Sequence, residues 1–169
     1  MTNSKASEAA RHFALYGDIL DVVPYGNGHI NDTCLLRCSQ AGTVVRYIVQ
    51  RLNTAIFREP EKLMANVSRV LAHCSARLAG QADASRRALT LVPAQDGRPF
   101  WRDADGACWR CYLFIEGATS YDILETPAQA YAAAKAFGAF LALLADIGGE
   151  RLEETIPHFH DTPSRLVAF

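Results

Sequence analysis

A glycine-rich segment joins two β-like runs near the start of the chain. The runs are Ile19–Pro24 and Thr33–Cys38, and the segment between them reads Tyr25-Gly26-Asn27-Gly28-His29-Ile30-Asn31-Asp32. Two glycines one residue apart let the chain reverse sharply, and they leave backbone N–H groups uncovered by side chains. The segment therefore predicts a β-hairpin.

The same glycine spacing has two interpretations. Loops that cover nucleotide phosphates use it, although protein kinases add a third glycine that is missing here. A Gly-Asn-Gly string is also common in ordinary hairpin turns. The polar residues that follow, His29, Asn31 and Asp32, stand where they would reach a ligand held by the loop.

Composition excludes several classes of protein. The chain has 169 residues, half of them hydrophobic, and a formal net charge of −1. This balance argues against disorder and against a large basic surface for nucleic acid, and the length allows one folded domain with a core. Residues 1–10 lack the apolar run of a signal peptide, and the cysteine count of five is odd. We predict a reduced, cytoplasmic protein.

Two of the cysteines, Cys108 and Cys111, have the spacing of a redox or zinc motif. Their surroundings alternate like a strand, in which residues three apart face opposite sides. No second cysteine pair or histidine pair completes four ligands with them, and His158 and His160 stand alone near the C-terminus. We predict structural cysteines and no metal site.

The order of predicted elements is helix, three strands, helix, then two or three more strands. A first helix is predicted over Ala6–Tyr16, and a second begins at Pro60 and ends at Gly80. This order predicts an α+β fold in which an antiparallel sheet has a helix packed on one face. The predicted strands are Ile19–Tyr25, Thr33–Cys38, Val44–Leu52, Leu89–Val92, Pro99–Arg102 and Cys108–Ile115. A turn at Gln40-Ala41-Gly42 is predicted between the second and third of these strands.

A different kind of segment follows Gly117. Thr126-Pro127-Ala128-Gln129 combines an N-cap threonine, a proline at the first helical position and a glutamine at the third. The helix is predicted to run to about Ile147, and it is apolar nearly all round, which indicates burial on all sides. Because one small sheet covers only one face of a helix, we expect this chain to be the amino-terminal part of a larger protein.

Several strings give the chain a resemblance to a known family. It resembles the aminoglycoside phosphotransferase and choline kinase superfamily, and within it most closely the N-acetylhexosamine 1-kinases. The strings span most of the chain in the family's order: Tyr25–Asn31, Tyr47–Thr54, Trp109–Glu116, Lys135–Gly138 and Glu154–Pro163.

The resemblance implies a fold and a reaction. The fold is a protein-kinase-like N-lobe over residues 1–117, a hinge over 118–125, and over 126–169 the first helix and tail of a C-lobe whose remainder is missing. The reaction transfers the γ-phosphate of ATP to the anomeric hydroxyl of an N-acetylhexosamine, with Mg²⁺ as cofactor. In this family the catalytic aspartate and the metal ligands lie in the C-lobe, so no catalytic or metal-binding residue is expected here, and the chain alone is expected to be inactive.

The resemblance also implies site residues. Gly26, Asn27 and Gly28 would cover the phosphates of ATP. The backbone around Phe114, Ile115 and Glu116 would meet adenine. His29 and Asn31 would reach the transferred group or the sugar, although turn capping by Asn31 and a surface position for His29 explain them equally well.

The third strand departs from the usual kinase pattern. Where a lysine or arginine normally meets the α- and β-phosphates, this chain has Gln50 with Arg51 beside it. Adjacent strand residues face opposite ways, so only one of the two would bind ATP, and the sequence leaves both open. The acidic residues near the following helix, Glu59 and Glu61, stand at its first turn, where the helix dipole favours carboxylates.

Two alternatives stay open beside the sugar kinase. The first is a related kinase that acts on another sugar, an aminoglycoside or a choline-like alcohol. The second is a non-catalytic lobe that acts through binding or association. The expected partners are ATP and an amino sugar, with no nucleic acid and no membrane, and we expect the chain to self-associate through residues 127–147 and its C-terminal tail.

Overall fold

The computed structural model describes residues 2–168 as a mixed α+β fold built on one antiparallel sheet. Six strands form the sheet, in the order β1-β2-β3-β6-β4, with β5 paired to β6. Five helices accompany them in the described chain. The strands are β1 (Asp18–Pro24), β2 (Asp32–Gln40), β3 (Thr43–Arg51), β4 (Leu91–Val92), β5 (Trp101–Arg102) and β6 (Cys108–Leu113); the helices are α1 (Thr2–Ala10), α2 (Pro60–Arg77), α3 (Ala84–Arg87), α4 (Pro127–Leu144) and α5 (Thr162–Ala168).

Helices pack against both faces of the sheet, and α2 leaves part of the second face uncovered, whereas the sequence predicted a helix on one face. On the first face, small alanines of α1 let the helix approach closely, and they join the largest core cluster. On the second face, Met64 of α2 packs with Leu52, Phe100 and Cys108 in a smaller cluster. The main cluster of the first face contains Ala6, Ala9, Ala10, Phe13, Cys34, Leu36, Cys38, Tyr47, Val49, Val92, Ala94, Trp109 and Cys111.

The first helix ends well before the predicted Tyr16. Phe13 forms an isolated β-bridge with Ala94, and the N–H of Ala14 donates to the carbonyl of Pro93 at 2.9 Å. These bonds hold residues 13 and 14 in an extended conformation, which is incompatible with the backbone angles of a helix. Long-range pairing therefore overrides the local helical pattern after Ala10.

The β-strands are shorter than predicted on the far side of the sheet. Strands β4 and β5 have two residues each, and β6 ends at Leu113 rather than Ile115. The second hairpin is as predicted: Ala41 and Gly42 have φ of +48° and +83°, which suits a two-residue turn with both central residues in the left-handed region.

Helix α4 begins as the sequence predicted. Thr126 accepts a hydrogen bond from the Gln129 backbone N–H at 3.2 Å, and the Gln129 side chain accepts one from the Thr126 N–H at 3.0 Å. These reciprocal bonds satisfy two N–H groups that the helix itself leaves unpaired. The sequence predicted that α4 is buried on all sides, but no residue of α4 is buried within the described structure.

The cysteines lie as predicted from strand alternation. Cys108 belongs to the cluster beneath α2 and Cys111 to the cluster beneath α1, on opposite faces of the sheet. Among the described residues all five cysteines are buried and unpaired. Burial raises the pKa of the Cys111 thiol, which keeps it protonated and unreactive.

None of the helices in residues 2–168 has the length and apolar character that crossing a membrane requires.

Candidate nucleotide-binding site

The glycine-rich segment forms an open loop between β1 and β2. It spans residues 25–31, closed by a 2.9 Å hydrogen bond from the Tyr25 N–H to the Thr33 carbonyl. Gly26 has a φ of +78°, which disfavours other residues, and a Cβ there or at Gly28 would meet nothing within 4 Å. This seven-residue connection is longer than a tight hairpin turn, and it leaves space above the loop backbone.

One side of the sheet next to this loop is open. Strand alternation places Val23, Leu35 and Ile48 on the face opposite the main core, and the pairing Val23↔Leu35 puts the first two side by side. Val23 is 37% exposed and Tyr25 42% exposed, while Leu35 and Ile48 are half-buried. We call these four residues the open sheet face. They form a partly exposed apolar surface at the base of the glycine loop.

Phe114 borders the open sheet face on the side where β6 ends. Its ring meets the Tyr25 ring edge-on, with centroids 5.7 Å apart, and the Arg46 guanidinium lies 4.3 Å from its centroid. Arg46 also pairs with the Glu116 carboxylate, and this hydrogen bond lowers the pKa of Glu116. The aromatic contact therefore connects the glycine loop to the segment predicted to meet adenine.

The predicted adenine-binding residues lie together, although parts of their backbone are already engaged. Phe114, Ile115 and Glu116 line one cleft of about 400 Å³, together with residues of β3 and α3. The Phe114 N–H donates to the Arg46 carbonyl at 3.0 Å, and the Glu116 carbonyl accepts from Arg86 of α3. Adenine would therefore have to replace the Arg86 contact to use that carbonyl.

The two candidates on the third strand face opposite sides of the sheet, as predicted. Gln50 pairs in register with Arg110 and hydrogen-bonds to its side chain, on the side of α2. Arg51 instead forms an ion pair with Asp32 at 2.9 Å and lines a separate cleft of about 330 Å³. Gln50 therefore lies on the same side of the sheet as the open sheet face, and Arg51 does not.

The predicted sugar-binding residues lie in the loop but differ in their surroundings. His29 is exposed in the described structure. The Asn31 side-chain oxygen accepts a 2.9 Å hydrogen bond from the Asn53 N–H, which ties the loop to the connection between β3 and α2. This contact gives Asn31 a structural role, which the sequence had left open beside sugar binding.

The acidic residues at the start of α2 pair away from the sheet candidates. Glu59 pairs with Lys62 at 2.9 Å, and Glu61 pairs with Arg102 of β5. From α2, Met64 contacts the Gln50–Arg110 pair, and its sulfur lies 4.0 Å from Arg110 Nη1.

Several residues of this site escaped the sequence analysis. Val23, Leu35 and Ile48 looked like ordinary strand residues, and only their alternation with buried neighbours could have marked them as a second face. Arg110 lies in a string that carries the family resemblance, and it has no local sequence signal of its own.

No model of a known protein family matches this chain.

Proposed function

We propose that this chain is the ATP-binding lobe of a small-molecule kinase that phosphorylates the anomeric hydroxyl of an N-acetylhexosamine. The observation that carries the proposal is the open sheet face, which is apolar, partly exposed and adjacent to a glycine loop. Adenine is flat and largely apolar, and such surfaces suit it. The loop would supply backbone N–H groups for the phosphates.

The kinase-like organisation of the lobe is part of this proposal. The glycine loop lies between β1 and β2, α2 follows β3, and β6 leads through residues 114–126 into α4. This order agrees with the N-lobe, hinge and first C-lobe helix that the resemblance implies. Residues 1–117 would be the nucleotide lobe, and residues 118–125 the hinge.

The identity of the acceptor rests on the resemblance to the N-acetylhexosamine 1-kinases. Within residues 2–168 there is no group of three His, Cys, Asp or Glu side chains placed to hold a metal ion. The proposal leaves the metal and the catalytic aspartate to the C-lobe, as in the family that the chain resembles.

Binding of ATP and of adenosine to the purified chain tests the proposal, and calorimetry measures both directly. Val23→Glu places a carboxylate in the open sheet face and should weaken both ligands about tenfold or more, because a charge must be desolvated against adenine. Leu20→Glu is the matched control, since Leu20 lies in the same strand and is 56% exposed. Absence of binding to the parent chain, or equal effects of the two variants, would contradict the proposal.

An association role is favoured by one further observation. Helix α4 exposes Tyr131, Phe137 and Leu141 to 69%, 66% and 55%. Large contiguous apolar patches mark interaction sites on most proteins. We include self-association through this helix and the C-terminal tail in the proposal, as a property compatible with nucleotide binding.

A further inference from the structure

Arg110 differs from the other arginines of the sheet. Arg37 pairs with Asp21, Arg46 with Glu116, and Arg51 with Asp32, all on the surface. Arg110 is half-buried, and within residues 2–168 its guanidinium hydrogen-bonds to Gln50 and forms no ion pair with a carboxylate. Burial lowers the pKa of Arg110, but a guanidinium stays charged at neutral pH. A half-buried cation without a counter-charge is costly unless an anion compensates it.

Neutral side chains hold the Arg110 guanidinium in place. Its Nε and Nη2 atoms donate to the Gln50 side-chain oxygen at 2.9 Å and 2.6 Å. The Gln50 amide donates in turn to the Thr33 hydroxyl at 2.8 Å, and that hydroxyl lies 3.5 Å from the Asn31 carbonyl. This line of polar groups crosses β6, β3 and β2 and ends at the exit of the glycine loop. Arg110 is therefore fixed on the same side of the sheet as the loop and the open sheet face.

The helix beside Arg110 supplies no acid that would neutralise it. In kinase-like sites a helix glutamate pairs with the phosphate-binding lysine. Here α2 presents the Met64 sulfur at 4.0 Å from Arg110 Nη1, while Glu61 pairs with Arg102. The positive charge of Arg110 is thus left for a ligand.

We propose that Arg110, held in position by Gln50, is the cation that binds the phosphate chain of the nucleotide, and that neither Gln50 nor Arg51 supplies this charge. The inference rests on the proposed function for the identity of the ligand as a nucleotide. Gln50 is a positioning residue in this assignment. In kinase-like folds a basic residue of the third strand binds the phosphates. Here Arg110, on β6, has that role.

The test compares three probes on the full chain: ATP, adenosine and inorganic tripolyphosphate. Arg110→Met should weaken ATP and tripolyphosphate about tenfold or more and leave adenosine within about twofold, because only the phosphates meet the cation. Arg110→Lys keeps the charge and should retain part of the affinity. Arg51→Met is the control, and it should leave all three affinities nearly unchanged. Circular dichroism of each variant verifies folding.

Gln50→Glu tests whether Gln50 positions Arg110 for the ligand or makes only a structural contact with it. The substitution is isosteric and gives Arg110 a carboxylate partner at the same place, so the fold should be at least as stable. It should nevertheless weaken ATP and tripolyphosphate about tenfold, since the new carboxylate repels phosphate and neutralises Arg110. A structural contact alone would leave ATP affinity unchanged in this variant.

The outcomes separate this inference from the proposed function. ATP and adenosine binding that persists unchanged in Arg110→Met and Gln50→Glu overturns the role of Arg110 and leaves nucleotide binding intact. Tripolyphosphate binding that depends on Arg110, without any affinity for adenosine or ATP, supports the anion site and overturns the nucleotide. A parent chain that binds none of the three probes overturns both.

Discussion

The indole N–H of Trp109 donates a hydrogen bond to the Asp103 carboxylate at 2.9 Å. The same carboxylate accepts from the N–H groups of Asp105 and Ala107, at 3.0 Å and 2.8 Å. Trp109 is only 1% exposed and belongs to the main core. Asp103 therefore fastens the turn between β5 and β6 to the centre of the sheet.

We predict that Asp103→Asn lowers the free energy of unfolding by about 1–3 kcal/mol, because an amide replaces a charged acceptor opposite a buried indole N–H. Urea denaturation followed by Trp fluorescence measures the change. Asp105→Asn is the control, since the Asp105 side chain contributes only a solvent-exposed ion pair with Lys5, which adds little to stability. Equal losses in the two variants would show that the Trp109 bond is unimportant.

The same carboxylate gives a pH dependence. Burial acts to raise the pKa of Asp103, but the bonds from Trp109, Ala107 and Asp105 outweigh it and lower the pKa below the ordinary value of 3.8. A carboxyl group with a depressed folded-state pKa stabilises the fold above its unfolded pKa, and the benefit disappears as pH falls through the folded value. The parent should therefore lose stability below about pH 4 more steeply than Asp103→Asn. Parallel acid profiles would contradict this.

Alanine substitutions at Gly17 and Gly26 distinguish the cost of backbone strain from the cost of a steric clash. Gly17 has a φ of +87°, and a Cβ there would lie 2.1 Å from the Ser39 carbonyl oxygen. Gly26 has a φ of +78° with nothing within 4 Å. Gly26→Ala should cost about 1 kcal/mol from the unfavourable φ alone, and Gly17→Ala about 3 kcal/mol or more. Thermal and urea unfolding measure both, and equal costs would show that the backbones of Gly17 and Ser39 move apart easily.

Asn31 offers a test of its structural role. Asn31→Ala leaves the Asn53 N–H without its acceptor and should cost about 1 kcal/mol or more of stability. Asn31→Asp keeps the acceptor and should restore most of it. If both variants fold as stably as the parent, the contact with Asn53 does not hold the loop, and the sugar-binding role gains support.

The exposed apolar side chains of helix α4 predict that the chain self-associates. Phe137 and Leu141 are four residues apart, so they lie on one side of the helix, and both are more than half exposed. We expect a two-fold dimer, since the commonest small assemblies are symmetric pairs. Light scattering at micromolar concentration should show a dimer for the parent and a monomer for the Phe137→Glu, Leu141→Glu double variant. Tyr16→Glu with Leu20→Glu is the control on another surface, and a monomeric parent would contradict the prediction.

Activity gives the last prediction. The purified chain, freed of host kinases, should not phosphorylate GlcNAc or GalNAc with ATP, because the resemblance assigns the catalytic aspartate to the C-lobe. Detection of a sugar 1-phosphate by mass spectrometry would show that the chemistry lies within these residues. A lobe that binds ATP without turnover would agree with the proposal.

Local sequence signals predicted the elements whose residues interact with near neighbours. The capping box at Thr126 and Gln129 and the turn at Ala41-Gly42 form as expected, because each depends on a few consecutive residues. Strand alternation correctly separated Cys108 from Cys111. The short helices α3 and α5 were missed, since four and seven residues give too little periodicity to detect.

Tertiary structure decided which polar groups meet. Arg110 and Gln50 are 60 residues apart, and their contact depends on the register between β3 and β6. That register is set by many core contacts across the sheet together, so no short stretch of sequence encodes it. For the same reason the sequence named Gln50 and Arg51 as candidates but left their faces open, and it missed the cation opposite Gln50. Sequence determined the strands and their alternation, whereas only the assembled sheet placed Arg110 against Gln50, on the face of the sheet that also carries the residues at the base of the glycine loop.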